Sequence, residues 1–453
     1  MTPTYKIVSR FRGDTQNPTG PKCQFRRYAV DIVLENAKAT GGSFKLHVGG
    51  RLFYYLGKLT PPGVDAKVDF DISRKRGGLE EFLTNDVEVN WTSEKPIDAS
   101  TEGQRIITLL FCFSKWGTEY KEIEKRDPCE LISPAEGYTA TADGEAAEVA
   151  ENEYLGVEDV DFTPPPVPTC PEELDSGKLL TRFVLMSDAH VGPTYHGEEY
   201  GWLDNIGKHL EALHAETPLD FVAQLGDNID DGYPHNYQRD YAIYLEQIKK
   251  LTVCDPENPI EGRAEGKIPH YELEGNHDYC PDLRYLRNSL WFAESEAGKV
   301  AFVGFFTSYG GYPLHHYDES GSYESYRSYG VISEETEKFL EESIREAAAQ
   351  GAKHIVLLSH FGISQQLNAP VLPESGLGKL DHLCREYGIR LFFSGHEHNC
   401  DFPHRMYKNV HDFDMATAYF YYAVVEIYEN LCEVKIYSAK DQSLFRTDRV
   451  SLK

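Results

Sequence analysis

The stretch Phe183-Val184-Leu185-Met186-Ser187-Asp188-Ala189-His190 decides how this chain is read. Four apolar residues without a polar break suit a strand buried on both faces, as in the interior of a parallel sheet. A carboxylate and an imidazole follow at once, and open α/β sheets place their sites just past the carboxyl ends of strands. The same grammar recurs along the chain. Phe221–Leu225 leads into Gly226-Asp227-Asn228-Ile229-Asp230, and Pro269–Leu273 into Gly275-Asn276-His277-Asp278. His354–Ser359 leads into His360, and Leu391–Ser394 into Gly395-His396-Glu397-His398. Each block alone is weak, because an Asp after a strand is often a helix cap. Five in succession, most with a Gly that permits a tight turn, point to one convergent site.

Outward from these blocks the pattern alternates strand and helix. Val300–Phe306 is a further apolar run. Leu203, Ile206, Leu210 and Leu213 are spaced three and four apart, which predicts one apolar helix face. Ser333 is placed to cap a helix carrying Phe339, Leu340 and Ile344 and stopping near Gly351. Ala423–Tyr428 and Glu433–Tyr437 return to β about Glu429-Asn430. Residues 178–453 are therefore expected to form one layered α/β domain. Residues 1–133 read as a separate β-rich domain. There Phe25–Leu34, Ser43–Leu56, Ala66–Ile72, Asp86–Trp91 and Arg105–Phe113 suggest a sandwich or barrel. Between Ala135 and Gly177 lie twelve acidic residues, no Lys or Arg, and Pro164-Pro165-Pro166, so residues 134–177 are expected to be an extended linker.

The formal charge of −28, from 73 acidic and 45 basic residues, disfavours nucleic acid and anionic membrane surfaces as partners. No run approaches a membrane span. Met1 to Gln16 carries Lys6, Arg10 and Arg12 and no apolar core, so no secretory signal is expected there. The nine cysteines are scattered and form no C-x-x-C, which argues for reduced thiols and a cytoplasmic protein.

The polar residues at the strand ends offer two Asp, one Asn and four His as candidate ligands. That is too many ligands for one tetrahedral zinc. It suits two divalent ions sharing a carboxylate, and a pair ~3.5–4 Å apart clamps a phosphoryl group in an in-line displacement. The stretch Ser308–Gly330 lies between two of the blocks and holds His316 and Arg327. With Asn228, these are the expected substrate contacts.

The ordered set D-x-H, G-D-x-x-D, G-N-H-D, H and G-H-x-H resembles the calcineurin-like (dinuclear) metallophosphoesterases, from Phe183 to about His398. The resemblance implies a four-layer α/β/β/α sandwich, here preceded by a mostly β N-terminal domain. It implies that Asp188, His190, Asp227 and His398 hold one ion, and Asp227, Asn276, His360 and His396 the other. The ions would be manganese, iron, zinc or nickel, and a metal-bridging hydroxide would hydrolyse a small phosphorylated substrate. His277 would be no ligand. It would stabilise the transition state or protonate the leaving oxygen, oriented by Asp278. Protein serine/threonine phosphatases of this superfamily carry Arg and Glu where this chain has Asp231 and Asp278. The blocks Leu225-Gly226-Asp227-Asn228 and Gly395-His396-Glu397-His398-Asn399 look like those of purple acid phosphatases. That branch, however, has a Tyr ligand at Asp230 and no histidine at His190. Monoesters, nucleotides and diesters, cyclic nucleotides among them, remain open as substrates. A competing reading makes the N-terminal β domain a module for a protein partner, with the phosphoesterase as effector.

Overall fold

The computed structural model describes residues 1–13, 25–49, 53–73, 84–114, 132–159, 165–193, 200–230, 236–255, 266–278, 286–307, 330, 332–363, 377–400 and 402–453. Two compact units emerge, one built on Met1–Phe162 and the other on Thr163–Gln366 and Gly378–Lys453. Among the described residues no helix is long and apolar enough to cross a membrane.

The first unit is a sheet of β1 (Thr4–Gly13), β2 (Phe25–Glu35), β3 (Lys38–Gly49), β4 (Phe53–Leu59), β5 (Val64–Ser73), β6 (Thr84–Asp98), β7 (Gln104–Ser114), β8 (Ile132–Pro134), β9 (Ala140–Ala142) and β10 (Glu145–Asp159). Their order is β4-β7-β2-β1-β10-β9-β3-β6-β5, with β8 paired to β3. Tyr5, Tyr28 and Val30 from one half share a single core with Phe44, Val87 and Trp91 from the other. The sheet thus folds back on itself around alternating apolar side chains.

Here the linker expected over 134–177 is corrected. Ala140–Ala142 and Glu145–Asp159 are strands, and β10 runs parallel to β1 from Thr4↔Glu148 to Gly13↔Asp159. Glu148, Glu151 and Glu153 face solvent. Ala147, Val149 and Tyr154 pack on the core. One acidic face of a half-buried strand has the same composition as a linker, and only its period of two tells them apart.

The second unit holds two sheets. The first has β11 (Leu179–Met186), β12 (Val222–Gln224), β13 (Cys254–Asp255), β14 (Ile268–Glu272), β21 (Tyr421–Tyr428), β22 (Leu431–Ser438) and β23 (Leu444–Ser451). The second has β15 (Ser289–Ser295), β16 (Gly298–Gly304), β17 (His354–Phe361), β18 (Leu391–Gly395), β19 (His404–Tyr407) and β20 (Val410–Asp414). The orders are β13-β14-β12-β11-β21-β22-β23 and β15-β16-β17-β18-β20-β19. Phe183 and Leu185 of β11 share a core with Val356, Leu358 and Phe393 of the other sheet. Val184 and Met186 point the other way, onto Leu203, Ile206 and Leu210 of the helix Gly201–Glu216. β11 is buried on both faces for that reason, and its sequence is an unbroken apolar run. The helix Glu334–Ala349 begins as expected, Ser333 Oγ accepting from Thr336 N at 3.1 Å.

In the first unit, Trp91 Nε1 donates to Tyr5 Oη at 2.8 Å, and Tyr5 Oη donates to Thr141 O at 2.8 Å. Tyr5→Phe should strand the buried indole N–H and cost about 1–3 kcal/mol. Denaturant unfolding checks this, and an unchanged midpoint would show that the chain of bonds contributes nothing.

Candidate metal centre

β11, β12 and β14 run parallel to one another, as do β17 and β18, so their carboxyl ends lie together within each sheet. The five sequence blocks sit on those ends. Tight turns then aim the side chains, at a cost in backbone strain. Asp188, His190, Asp227, His396 and His398 have φ of +50°, +41°, +51°, +79° and +53°. Left-handed backbone is uncommon for residues with a side chain, and strain of this kind clusters at functional sites. Asp227 follows Gly226, whose φ is +101°. A Cβ on Gly226 would lie 2.7 Å from Gly275 N and 2.8 Å from His360 Nδ1.

Two sets of donor atoms result. Asp188, His190, Asp227 and His398 each offer an atom within 4.8 Å of the others, and so do Asp227, His360 and His396. His190 Nε2 and His398 Nε2 are 2.9 Å apart. Two imidazole lone pairs at that separation need a proton or a cation between them. His398 Nε2 is 3.0 Å from Asp188 Oδ1, and His190 Nε2 is 3.8 Å from Asp227 Oδ2. On the other side His360 Nε2 is 3.3 Å from Asp227 Oδ2 and 2.9 Å from Asn276 Oδ1. Asp227 belongs to both sets. The donors are imidazole nitrogens and carboxylate oxygens, which suit borderline divalent ions.

Neighbours fix these donors. Ser187 Oγ donates to Asp188 Oδ2 at 2.5 Å, and His396 N donates to the same carboxylate at 3.0 and 3.1 Å. Thr417 Oγ donates to Asp188 O at 2.6 Å. The other ring nitrogen of His360, Nδ1, is 2.9 Å from Leu225 O, the carbonyl partner that orients a metal-binding imidazole. Glu397, between His396 and His398, accepts from Arg405 Nη2 and Asn399 Nδ2, both at 2.6 Å.

The local field asks for positive charge. Burial opposes the Asp188 carboxylate, but the His398 hydrogen bond and the nearby imidazoles outweigh it and hold its pKa at about 2. Burial also opposes a charged His360, yet Asp227 and the other carboxylates lift it to about 9. Burial and then His360 push His396 down to about 4. Protons on imidazoles here balance carboxylates that a bound cation would balance instead.

The expected catalytic pair is rearranged. His277 N donates to Asp227 Oδ1 at 2.7 Å, and His277 Nδ1 lies 2.8 Å from Asp230 O. The carbonyl of Asp230 therefore orients this ring, and not Asp278. The Asp278 carboxylate accepts from Asn228 N, Ile229 N, Gly275 N and Asn228 Nδ2 at 2.7, 3.1, 2.8 and 3.1 Å. Its role is to tie the Gly226–Asp230 turn to the Gly275–Asp278 turn. Asn228, expected at the substrate, is fully buried, and its Nδ2 is spent on Leu273 O and Asp278. His316 and Arg327 lie outside the described residues. Ser187 and Thr417 were not singled out from sequence. Ser187 adjoins a motif residue, but Thr417 belongs to no pattern that would have flagged it.

Residues 181–400 match the family model of the calcineurin-like phosphoesterases. The chain carries a calcineurin-like phosphoesterase domain. It is thus a phosphoester hydrolase, with Asp and His groups suited to metal. Among curated proteins none matches the chain. Solved structures similar to it include a purple acid phosphatase from yellow lupin seeds, at 10% identity and TM-score 0.40, covering 94% of this chain and 72% of that one. Another is the Plasmodium inner-membrane-complex anchor GAP50, at 14% identity and TM-score 0.37, covering 61% and 90%. A putative 5'-nucleotidase from Staphylococcus aureus has 14% identity and TM-score 0.35, covering 60% and 54%. At these identities no residue role passes from them to the phosphoesterase domain.

Gly226→Ala should force the two turns of this phosphoesterase domain apart and lower its metal content, while the sheets stay folded. Elemental analysis beside circular dichroism reads both. Full metal content in the variant would contradict the crowding at Gly226.

Proposed function

We propose that the chain hydrolyses small phosphoesters at a dinuclear centre, with Asp227 bridging two divalent ions. The observation that carries this reading is the membership of Asp227 in both donor sets. Asp188, His190 and His398 would complete one ion's ligands, and Asn276, His360 and His396 the other's. When bound, such ions supply Lewis-acid stabilisation of the phosphoryl oxygens and lower the pKa of a water nucleophile.

The remaining work falls to the protein. Burial of five of the seven donor residues keeps bulk water from competing with substrate. The backbone bond from His277 N to Asp227 fixes that imidazole beside the shared carboxylate. With Nδ1–H committed to the Asp230 carbonyl, the proton that His277 gives up is the one on Nε2. In this role it protonates the leaving alcohol as a general acid. The absence of a Tyr at Asp230, and the extra imidazole of His190, favour divalent over ferric ions.

The test is a panel of mono-, di- and cyclic phosphoesters, each with manganese, iron, zinc and nickel. The metal-loaded protein should hydrolyse at least one class. His277→Gln should slow that turnover by about 10²–10⁴-fold with both ions retained. No hydrolysis of any ester by the loaded wild type would overturn the reading, and a lost ion in His277→Gln would remove the acid role.

A further inference from the structure

Arg287 stands where two segments of the candidate centre meet. Leu286 pairs beside Leu273, and Leu286 N donates to Glu272 O at 2.7 Å, which sets Arg287 alongside Glu274, two residues before Asn276. On its other side, Phe306 N donates to Asn288 Oδ1 at 3.0 Å. Phe305 N donates to Leu358 O, and Thr307 Oγ is 3.5 Å from Ser359 Oγ, next to His360. The residue therefore lies between the approaches to Asn276 and His360.

Its guanidinium is held in place. Arg287 Nε donates to Glu274 Oε2 at 3.0 Å, and that carboxylate side chain is 1% exposed. The guanidinium carbon lies 5.5 Å from the centre of the Phe306 ring. The Arg287 side chain is nonetheless 53% exposed, so the held group faces outward. Of five N–H donors, one is spent on Glu274. Among the described residues the Nη donors meet no protein acceptor. A fork fixed at Nε and open at Nη matches the planar geometry of a phosphate or carboxylate.

We propose that Arg287 is a recognition site for an oxyanion carried on the leaving group of the substrate, a second phosphate or a carboxylate beyond the phosphoryl group that is cut. This rests on the phosphoesterase reading and narrows its substrate class to esters with a second negative group. A mere neutraliser of buried Glu274 would leave substrate choice untouched, and the two roles separate by measurement.

The experiment uses the full manganese-loaded chain. Alkyl phosphates with two to five carbons are compared with their ω-carboxylate and ω-phosphate counterparts. At one chain length the wild type should favour an ω-anion over the plain ester by about 10- to 100-fold in kcat/KM, the worth of a charge-assisted hydrogen bond. The preference should reside in KM, because a group remote from the reacting bond binds ground and transition states alike. Arg287→Ala should abolish it, and Arg287→Lys should keep part of it. Thermal melting of both variants, with Arg287→Gln as a third, reports folding. Calorimetry with the matching non-hydrolysable phosphonates reads binding without turnover. A wild type that cuts plain esters but prefers neither ω-anion at any length overturns the site and leaves the phosphoesterase reading intact. Equal losses on all substrates in the Arg287 variants also overturn it. Tighter binding of ω-anionic phosphonates by the wild type than by Arg287→Ala supports the site even if no ester is cut.

Discussion

The phosphoesterase domain depends on one carboxylate with too many neighbours. Asp227 is 1% exposed, and four imidazoles from three segments, His190, His360, His396 and His398, gather about it and Asp188. Burying two carboxylates so close together is unfavourable unless positive charge comes between them. Protons on His360 and His398 supply some of it, and both pKa values are raised against the pull of burial. Divalent ions would supply more and would take the imidazole lone pairs as well. The strained φ values at five of these residues fit the same constraint, because strain persists where the surroundings over-determine it.

That strain is sustained by the packing beneath. β11 and β12 lie between a helix layer and a second sheet, and Leu185 and Leu225 are fully buried in the core that the two sheets share. Rigid strand ends let a turn be aimed accurately. Asp278 then locks two of the turns together with four hydrogen bonds. The Asp278 carboxylate is bonded to both turns, while the His277 ring meets a backbone carbonyl, that of Asp230.

The second unit was legible in the sequence because its strands are buried on both faces. Such strands read as plain apolar runs, and polar residues after them stand out. All seven expected ligand positions converge for the same reason, since each sits on a strand end. What stayed hidden came from contacts distant in sequence. Thr417 reaches Asp188 across 229 positions, and no local pattern records it. The bonds of Asp278 and Asn228 within and between the turns were not legible either, because adjacency in sequence says little about where a side chain points. The acidic strand Glu145–Asp159 was missed because composition spoke louder than its weak alternation.

The most direct test of the account is electron paramagnetic resonance of the protein titrated with manganese. Two ions bridged by Asp227 would sit ~3.5–4 Å apart. The account predicts that the second equivalent replaces the isolated-ion spectrum with that of an exchange-coupled pair. A spectrum that stays that of isolated ions at two bound equivalents, or binding that ends at one, would contradict it.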